Sequence, residues 1–300
     1  MKTFNEILPS FLATKKIVVK DSAYRSYVSK TNTFSSWLAQ NEYNRLTMAE
    51  ISAEIIESFS VYLAENKKLD RPTCQNYRTT LQHVFKYAMA RGEIKELPFD
   101  MFILPKKKDD CSAQVIPPDH SKILLEDIRK HDRQLYLAYL TEYYTFLRPG
   151  KELRLLRVGD IDFNKGTITV SQENAKNGHK RTVTVPNQLL MEYKRQCVDK
   201  ADKKLYVFGN RKKPSKEPCS VNMLGYRFRK YRDRNKLPKG YKLYSGKCTG
   251  ATTLHESNVV SMRSIMDQLG HSNLSSTQHY LKRHMGSVDI GIKADFPSPY

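Results

Sequence analysis

The amino-acid sequence predicts a mainly α-helical chain of two domains, the second of which also carries a small antiparallel β-sheet. Three observations predict it. Apolar residues recur at three- and four-residue steps through most of the chain, the period of an amphipathic helix. Only between residues 161 and 185 does this period give way to short β-branched runs parted by turn residues. From Leu104 to Pro118 both periods stop, in a segment with three prolines and the run Lys106, Lys107, Lys108. We therefore place a helical domain at residues 1–103, a linker at 104–118 and an α/β domain at 119–300. Three hundred residues, 39% hydrophobic and 27% charged, suffice for two cores and are too apolar for a disordered chain.

In the first domain Phe4, Ile7, Leu8, Phe11 and Leu12 share one helical face, and Tyr24, Tyr27, Phe34, Trp37 and Leu38 form a second, longer stripe. A third helix is expected from about Ser52, with Ile55, Ile56, Phe59, Tyr62 and Leu63 turned inward. A fourth runs from about Thr73 through Tyr77, Leu81, Val84, Phe85 and Ala88 to Gly92. So many aromatic rings also suit stacking on nucleobases, but at helical spacing they belong to a core.

Helical periodicity returns from Ile123 to about Leu147, as two helices broken near His131. Arg148 follows at the end of this apolar stretch, where an arginine is costly to hold unless an anion meets it. Glu152 or Asp160 would meet that need within the chain, and a ligand would meet it from outside. Ile161–Phe163, Thr167–Val170 and Arg181–Val185 read as three antiparallel strands, with Lys176 on the second turn, taken to be a tight hairpin.

A helix near Asn187 to Cys197 precedes a strongly basic segment. It holds Arg211, Lys212, Lys213 and Lys216, then Arg227, Arg229, Lys230, Arg232 and Arg234 interleaved with Tyr226, Phe228 and Tyr231. Asp233 is the lone acid among these last residues, so a cationic helix anchored inward by aromatics is expected to meet a polyanion. Thr249 and Gly250 read as a helix start, which puts Lys247 beside a helix N-terminus, a site suited to anions. Val260, Met262, Ile265, Met266 and Leu269 then mark a buried helical face closed by Gly270. His271 opens a turn, and Ser272 or Ser275 is expected to cap a short helix carrying Tyr280.

The charge balance agrees with a polyanionic partner. The formal net charge is +20, with 14 basic and 11 acidic side chains in residues 1–105 but 37 and 20 in residues 106–300. No apolar run is long enough to cross a bilayer and no signal core follows a basic start, so a cytoplasmic protein without a membrane partner is expected. The five cysteines are scattered without a CxxC pair, and neither a carboxylate cluster nor a His/Cys ligand spacing is present. Free thiols and a chemistry without metal or other cofactor are the expectation.

Arg148, a hairpin lysine, Lys247, Leu269-Gly-His271 and Tyr280 nine residues later form one ordered set, and this set resembles the tyrosine recombinase (phage integrase) family. The likeness covers nearly the whole chain, and the ending Leu-Gly-His-Ser-x-Leu-Ser-x-Thr-Gln-x-Tyr is specific. It implies a helical core-binding domain, a linker and an α/β catalytic domain that together clamp double-stranded DNA at a specific recombination site. It implies strand cleavage and rejoining through a 3′-phosphotyrosyl link to Tyr280, without cofactor, by a tetramer on two DNA sites. In it Arg148 binds the scissile phosphate, Glu152 supports the pocket, Lys176 protonates the leaving 5′ oxygen with Lys180 as runner-up, and His271 hydrogen-bonds the phosphate. Lys106, Lys107, Lys108, Lys180, Arg181, Arg211, Lys212, Arg227, Arg229 and Lys230 are the expected DNA-surface cations, and the segment after Tyr280 is expected to dock on a neighbouring protomer.

Two departures stand out. Where the family usually has His-x-x-Arg, this chain has Tyr244-Ser-Gly-Lys247, which keeps a cation but loses arginine's planar fork and replaces a base with a phenol. That pair resembles a branch of the family associated with bacterial conjugative elements and invertible DNA. One more residue than usual separates Arg148 from Glu152. The first helix also stands almost at the start of the sequence, so a separate arm-binding domain is not expected, which favours inversion or simple integration and excision. A non-catalytic DNA-binding protein on the same fold is the alternative.

Overall fold

The computed structural model describes residues 1–107 and 113–284, the side chains of residues 282–284 excepted. It divides into two compact units, Met1–Asp110 and Cys111–Tyr300. The first is a bundle of α1 (Phe4–Val18), α2 (Asp21–Gln40), α3 (Ala53–Glu65) and α4 (Arg71–Met89). Local signals set the ends of these helices. The Thr3 hydroxyl accepts from the Glu6 N–H at 3.3 Å while the Glu6 carboxylate accepts from the Thr3 N–H at 2.7 Å, a reciprocal cap on α1. The aromatic stripes are core: Phe34 meets Phe4 edge-on at 4.9 Å and Phe59 at 4.8 Å, and Phe34, Phe59 and Phe85 are fully buried.

The second unit begins with α5 (Pro118–His131) and α6 (Arg133–Thr145), divided at Asp132, whose carboxylate accepts the Leu135 N–H at 3.1 Å and so caps α6. Strands β1 (Ile161–Asp162), β2 (Thr167–Val170) and β3 (Arg181–Thr184) form an antiparallel sheet in chain order, with Ile168 opposite Ile161 and Val183, and Val170 opposite Arg181. Ile168, Val170 and Val183 alternate inward onto the main core of this unit. After α7 (Asn187–Arg195) come α8 (Met223–Arg234), α9 (Ser245–Glu256), α10 (Met262–Leu269) and α11 (Leu274–His284).

Four local expectations fail. Val260 is exposed and α10 starts two residues later, because Ser261 caps it by accepting the Ser264 N–H at 3.1 Å. Asn273, not Ser272 or Ser275, caps α11, its side-chain oxygen accepting the Ser276 N–H at 2.8 Å. The β2–β3 connection runs from Ser171 to Lys180 and is no tight hairpin; buried Ala175 pins it to the core. Gly250 does not start a helix but lies inside α9, where a Cβ would come within 1.9 Å of the Tyr143 carbonyl oxygen. That glycine lets α9 lie close against α6, and the site is built on this contact. Among the described residues no helix is long and apolar enough to cross a membrane.

Candidate active site

The site begins where α6 ends. Phe146 closes the helix in the left-handed region at φ 56°, a strained position for a bulky side chain. A small core of Phe146, Ala251, Ile265, Leu269 and Leu281 holds it there. Arg148 follows, and Pro149–Leu153 form a π-helical turn in which the Leu153 N–H reaches the Arg148 carbonyl at 3.0 Å. This wider turn absorbs the extra residue between Arg148 and Glu152. The Glu152 carboxylate therefore still returns to Arg148, accepting its backbone N–H at 2.9 Å and its guanidinium at 3.0 Å.

Arg181, expected on the DNA surface, instead forks onto the same carboxylate at 3.1 and 2.7 Å. It stands at the start of β3 facing Gly270, where a Cβ would lie 2.7 Å from its Nε. The Lys176 N–H points at the same carboxylate from 3.5 Å, while its side chain is exposed. Glu152 is thus an acid enclosed by two guanidinium groups with only 1% of its side chain exposed. Burial alone would raise its pKa; Arg181 and Arg148 outweigh that and bring it down to about 2. Asp160, the other candidate partner for Arg148, accepts the Arg157 N–H instead.

Lys247 does stand at a helix N-terminus, but of a helix that starts at Ser245 rather than at Thr249. It lies within the first turn of α9, fully buried, and its Nζ donates to the Phe146 carbonyl at 2.9 Å. Burial first, and the Arg148 charge next, lower its pKa to about 7. Tyr244 precedes α9 half-buried, and burial raises its pKa.

The end of α10 aims His271. Gly270 adopts φ 69°, its N–H bonds to the Asp267 carbonyl and the His271 N–H to the Met266 carbonyl, both at 3.1 Å, so the chain turns sharply and delivers the imidazole to the pocket. His271 Nδ1 lies 3.0 Å from the hydroxyl of buried Thr277, and its ring meets the Tyr280 ring edge-on with centroids 5.8 Å apart. Burial, then the charges of Lys247, Arg148 and Arg181, hold His271 down to about 4, so the imidazole is neutral at pH 7. The Tyr280 hydroxyl donates to Cys248 Sγ at 3.2 Å, and burial keeps the phenol protonated well above the usual tyrosine range.

The structure thus brings Arg148, Glu152, Lys247, His271 and Tyr280 together and adds Arg181, Thr277 and Cys248. Of these, Arg181 left a trace in the sequence as a charge at the start of a strand and Thr277 as a member of the Leu-Gly-His to Tyr280 ending, while Cys248 showed only as a scattered thiol. The expected surface cations divide. Lys106, Lys107, Lys180, Arg211, Lys212, Arg229 and Lys230 are exposed, and Lys108 lies outside the described residues. Arg227 is withdrawn: it forks onto buried Asp132 and donates to Gln134 at 2.8 Å. Arg234 also pairs with Asp127 but stays half exposed. Tyr226, expected to point inward, is 49% exposed, while Phe228 is buried and stacks on Tyr139. A groove of 440 Å³ joins Tyr244, Pro149 and Gly150 to Arg229 on α8. Among the described residues no three His, Cys, Asp or Glu side chains are grouped to hold a metal ion.

Comparison with known proteins agrees with this arrangement. Residues 114–286 match the phage integrase family and residues 3–108 the phage integrase SAM-like domain. The chain is 27% identical over 267 residues to a tyrosine recombinase of Pseudothermotoga lettingae, a match spanning 88% of each chain. It is 31% identical over 162 residues to the tyrosine recombinase XerA of Pyrococcus furiosus, spanning 54% of each chain. The fold is similar to that of the Tn1549 transposon integrase in complex with circular intermediate DNA, with TM-score 0.75 at 17% identity, covering 99% of this chain and 100% of that one. With a matched catalytic-domain signature over more than half its length and a matched SAM-like domain before it, the chain belongs to the phage integrase family, the tyrosine recombinases.

Proposed function

We propose that this protein cuts and rejoins double-stranded DNA at a specific recombination site, with Tyr280 as nucleophile. The observation that carries the reading is the convergence of Arg148, Arg181 and neutral His271 beside the Tyr280 ring. The Tyr280 hydroxyl gives up its proton to water as its oxygen attacks phosphorus, a 3′-phosphotyrosyl bond forms, and the bond to the 5′ oxygen breaks as that oxygen takes a proton from the exposed Lys176. Charge that builds on the nonbridging oxygens is met by Arg148 and Arg181, which Glu152 holds in fixed orientation, and by a His271 N–H. Water or another strand's 5′ hydroxyl competes for the phosphotyrosine afterwards, and the hydroxyl restores the DNA backbone.

The exposed cations Lys106, Lys107, Lys180, Arg211, Lys212, Arg229 and Lys230 track the phosphates of the duplex. The working assembly is a homotetramer on two DNA sites, in line with the lambda integrase tetramer bound to a Holliday junction, whose fold is similar at TM-score 0.73. The protein acts in the bacterial cytoplasm, at the nucleoid. The test is to mix it with nicked duplexes drawn from DNA flanking its own gene and to look for an adduct that survives denaturant. We expect an adduct that Tyr280→Phe abolishes. Tight, sequence-specific binding without any adduct would replace this reading with that of a non-catalytic DNA-binding protein.

A further inference from the structure

Glu142 has no part in the chemistry above, yet it lies directly behind it. Its side chain on α6 is fully buried, and neither carboxylate oxygen has a hydrogen-bond partner. An apolar residue would fill that space at far lower cost, so a carboxyl here needs a reason. The close approach of α9 supplies one. Glu142 stands one turn before Phe146, whose N–H bonds to the Glu142 carbonyl at 3.0 Å and whose carbonyl holds the Lys247 Nζ at 2.9 Å. Two buried groups of opposite sign are thereby set on facing helices.

We propose that Glu142 is a positioning residue, the buried counter-charge of Lys247, which shares one proton with it and so governs when Lys247 is a cation. Other groups act on the couple from each packed element: Arg148 and Glu152 from the π-helical turn and Arg181 from β3 act on Lys247, His271 at the α10–α11 corner feels the Lys247 charge, and Tyr139 on α6, Tyr244 before α9 and Tyr280 on α11 feel Glu142. Arg148 and Arg181 oppose an ammonium there, whereas Glu152 and Glu142 favour it. Burial raises Glu142 well above the carboxylate range and the Lys247 charge acts against that rise. The couple is neutral overall whether its proton sits on oxygen or on nitrogen. A DNA phosphate that neutralises Arg148 and Arg181 removes their opposition; the Glu142 and Lys247 side chains, not hydrogen-bonded to each other in this structure, then close up and the proton passes from the Glu142 carboxyl to the Lys247 amine. A third cation of the site, beside Arg148 and Arg181, is thus withheld until a phosphate arrives.

This rests on the reading that Arg148 and Arg181 receive that phosphate, so the first measurement is made without DNA. The Lys247 side chain is titrated by ¹⁵N NMR in the full chain, its signal assigned by its loss in Lys247→Arg. At a pH above both midpoints, Glu142→Gln is expected to leave at least tenfold less Lys247 ammonium than the wild type, and Glu142→Asp to restore most of it. A midpoint unchanged in a folded Glu142→Gln protein would overturn the proposal. If Glu142→Gln does not fold, Lys247→Met is added to it: recovery of a cooperative unfolding transition supports the couple, and failure to recover overturns it. Adduct formation is measured separately, and its fall at high pH is expected to begin at lower pH in Glu142→Gln. A wild type that forms no adduct would sink the recombinase reading and leave the titration to decide this one.

Discussion

The site turns on a single acid. Glu152 gathers two guanidinium groups, a backbone N–H and the approach of the Lys176 turn around one carboxylate, and so fixes the spacing of the cations that face the pocket. Its pKa of about 2 in the folded chain lies below the ordinary 4.5. The unfolded chain therefore binds the proton first as pH falls, and the stabilisation by Glu152 is complete above pH 4.5 and lost toward pH 2. Glu152→Gln should lower stability by about 3 kcal/mol at pH 7, because it strands two partly buried guanidinium charges. In urea unfolding that difference should shrink between pH 4.5 and pH 2; a difference that stays constant would show that the charge is not what stabilises the pocket. Thr277 makes a smaller point of the same kind. When its hydroxyl donates to His271 Nδ1, the ring proton stays on Nε2, where a phosphate oxygen can use it. Thr277→Val should slow adduct formation by about 2- to 10-fold, the worth of one hydrogen bond. The slowing should be the same from pH 5 to pH 8, since His271 is neutral throughout that range.

At the scale of the element, the close contact of α9 with α6 decides where Lys247, Tyr244 and Cys248 stand. Gly250→Ala drives a methyl into the Tyr143 carbonyl and should cost about 1–3 kcal/mol or more, read as a lower urea midpoint. Gly225→Ala on α8, where nothing lies within 4 Å, should instead gain about 0.5–1 kcal/mol. Equal effects at the two positions would refute the close-approach argument. The helices, the three strands and the break near His131 were legible because each has its own apolar period and its own cap or turn. The same signals located Arg148 and His271, which sit at element ends, while Tyr280, in the middle of α11, was placed by its spacing from Leu269-Gly-His271. The start of α9 was misread because Thr249 and Gly250 mimic a cap, while the true reason for Gly250 is a neighbour more than a hundred residues away. Cys248 and Glu142 were invisible for the same reason: their roles come from contacts across elements, which spacing along one chain does not encode, and Thr277 showed in the quoted ending without its hydrogen bond to His271.

For the whole molecule, the excess of positive charge overstates the surface available to DNA. The basic segment showed one acid among its nearest neighbours, yet Asp132 and Asp127, from the corner between α5 and α6, come back in space to Arg227 and Arg234. Charge is thereby sorted into two classes that the sequence mixes together. Arg229 and Lys230 remain exposed on α8, Lys230 with its ammonium 4.8 Å from the centre of the Tyr226 ring. Each should release about one counterion on binding a duplex, so Arg229→Ala and Lys230→Ala should each flatten the plot of log binding constant against log salt by about 1, with stability unchanged. Arg227→Ala should do the reverse. It leaves Asp132, a side chain only 2% exposed, with only its longer ion pair to the exposed Lys212 at 3.6 Å, and should lower stability by about 3–5 kcal/mol while the salt slope stays as in the wild type. Filter binding from 50 to 200 mM salt, beside urea unfolding of the same three variants, separates the two classes. A salt slope that falls equally for Arg227→Ala and Arg229→Ala would mean that the ion pair with Asp132 opens when DNA binds, and Arg227 would then return to the DNA surface.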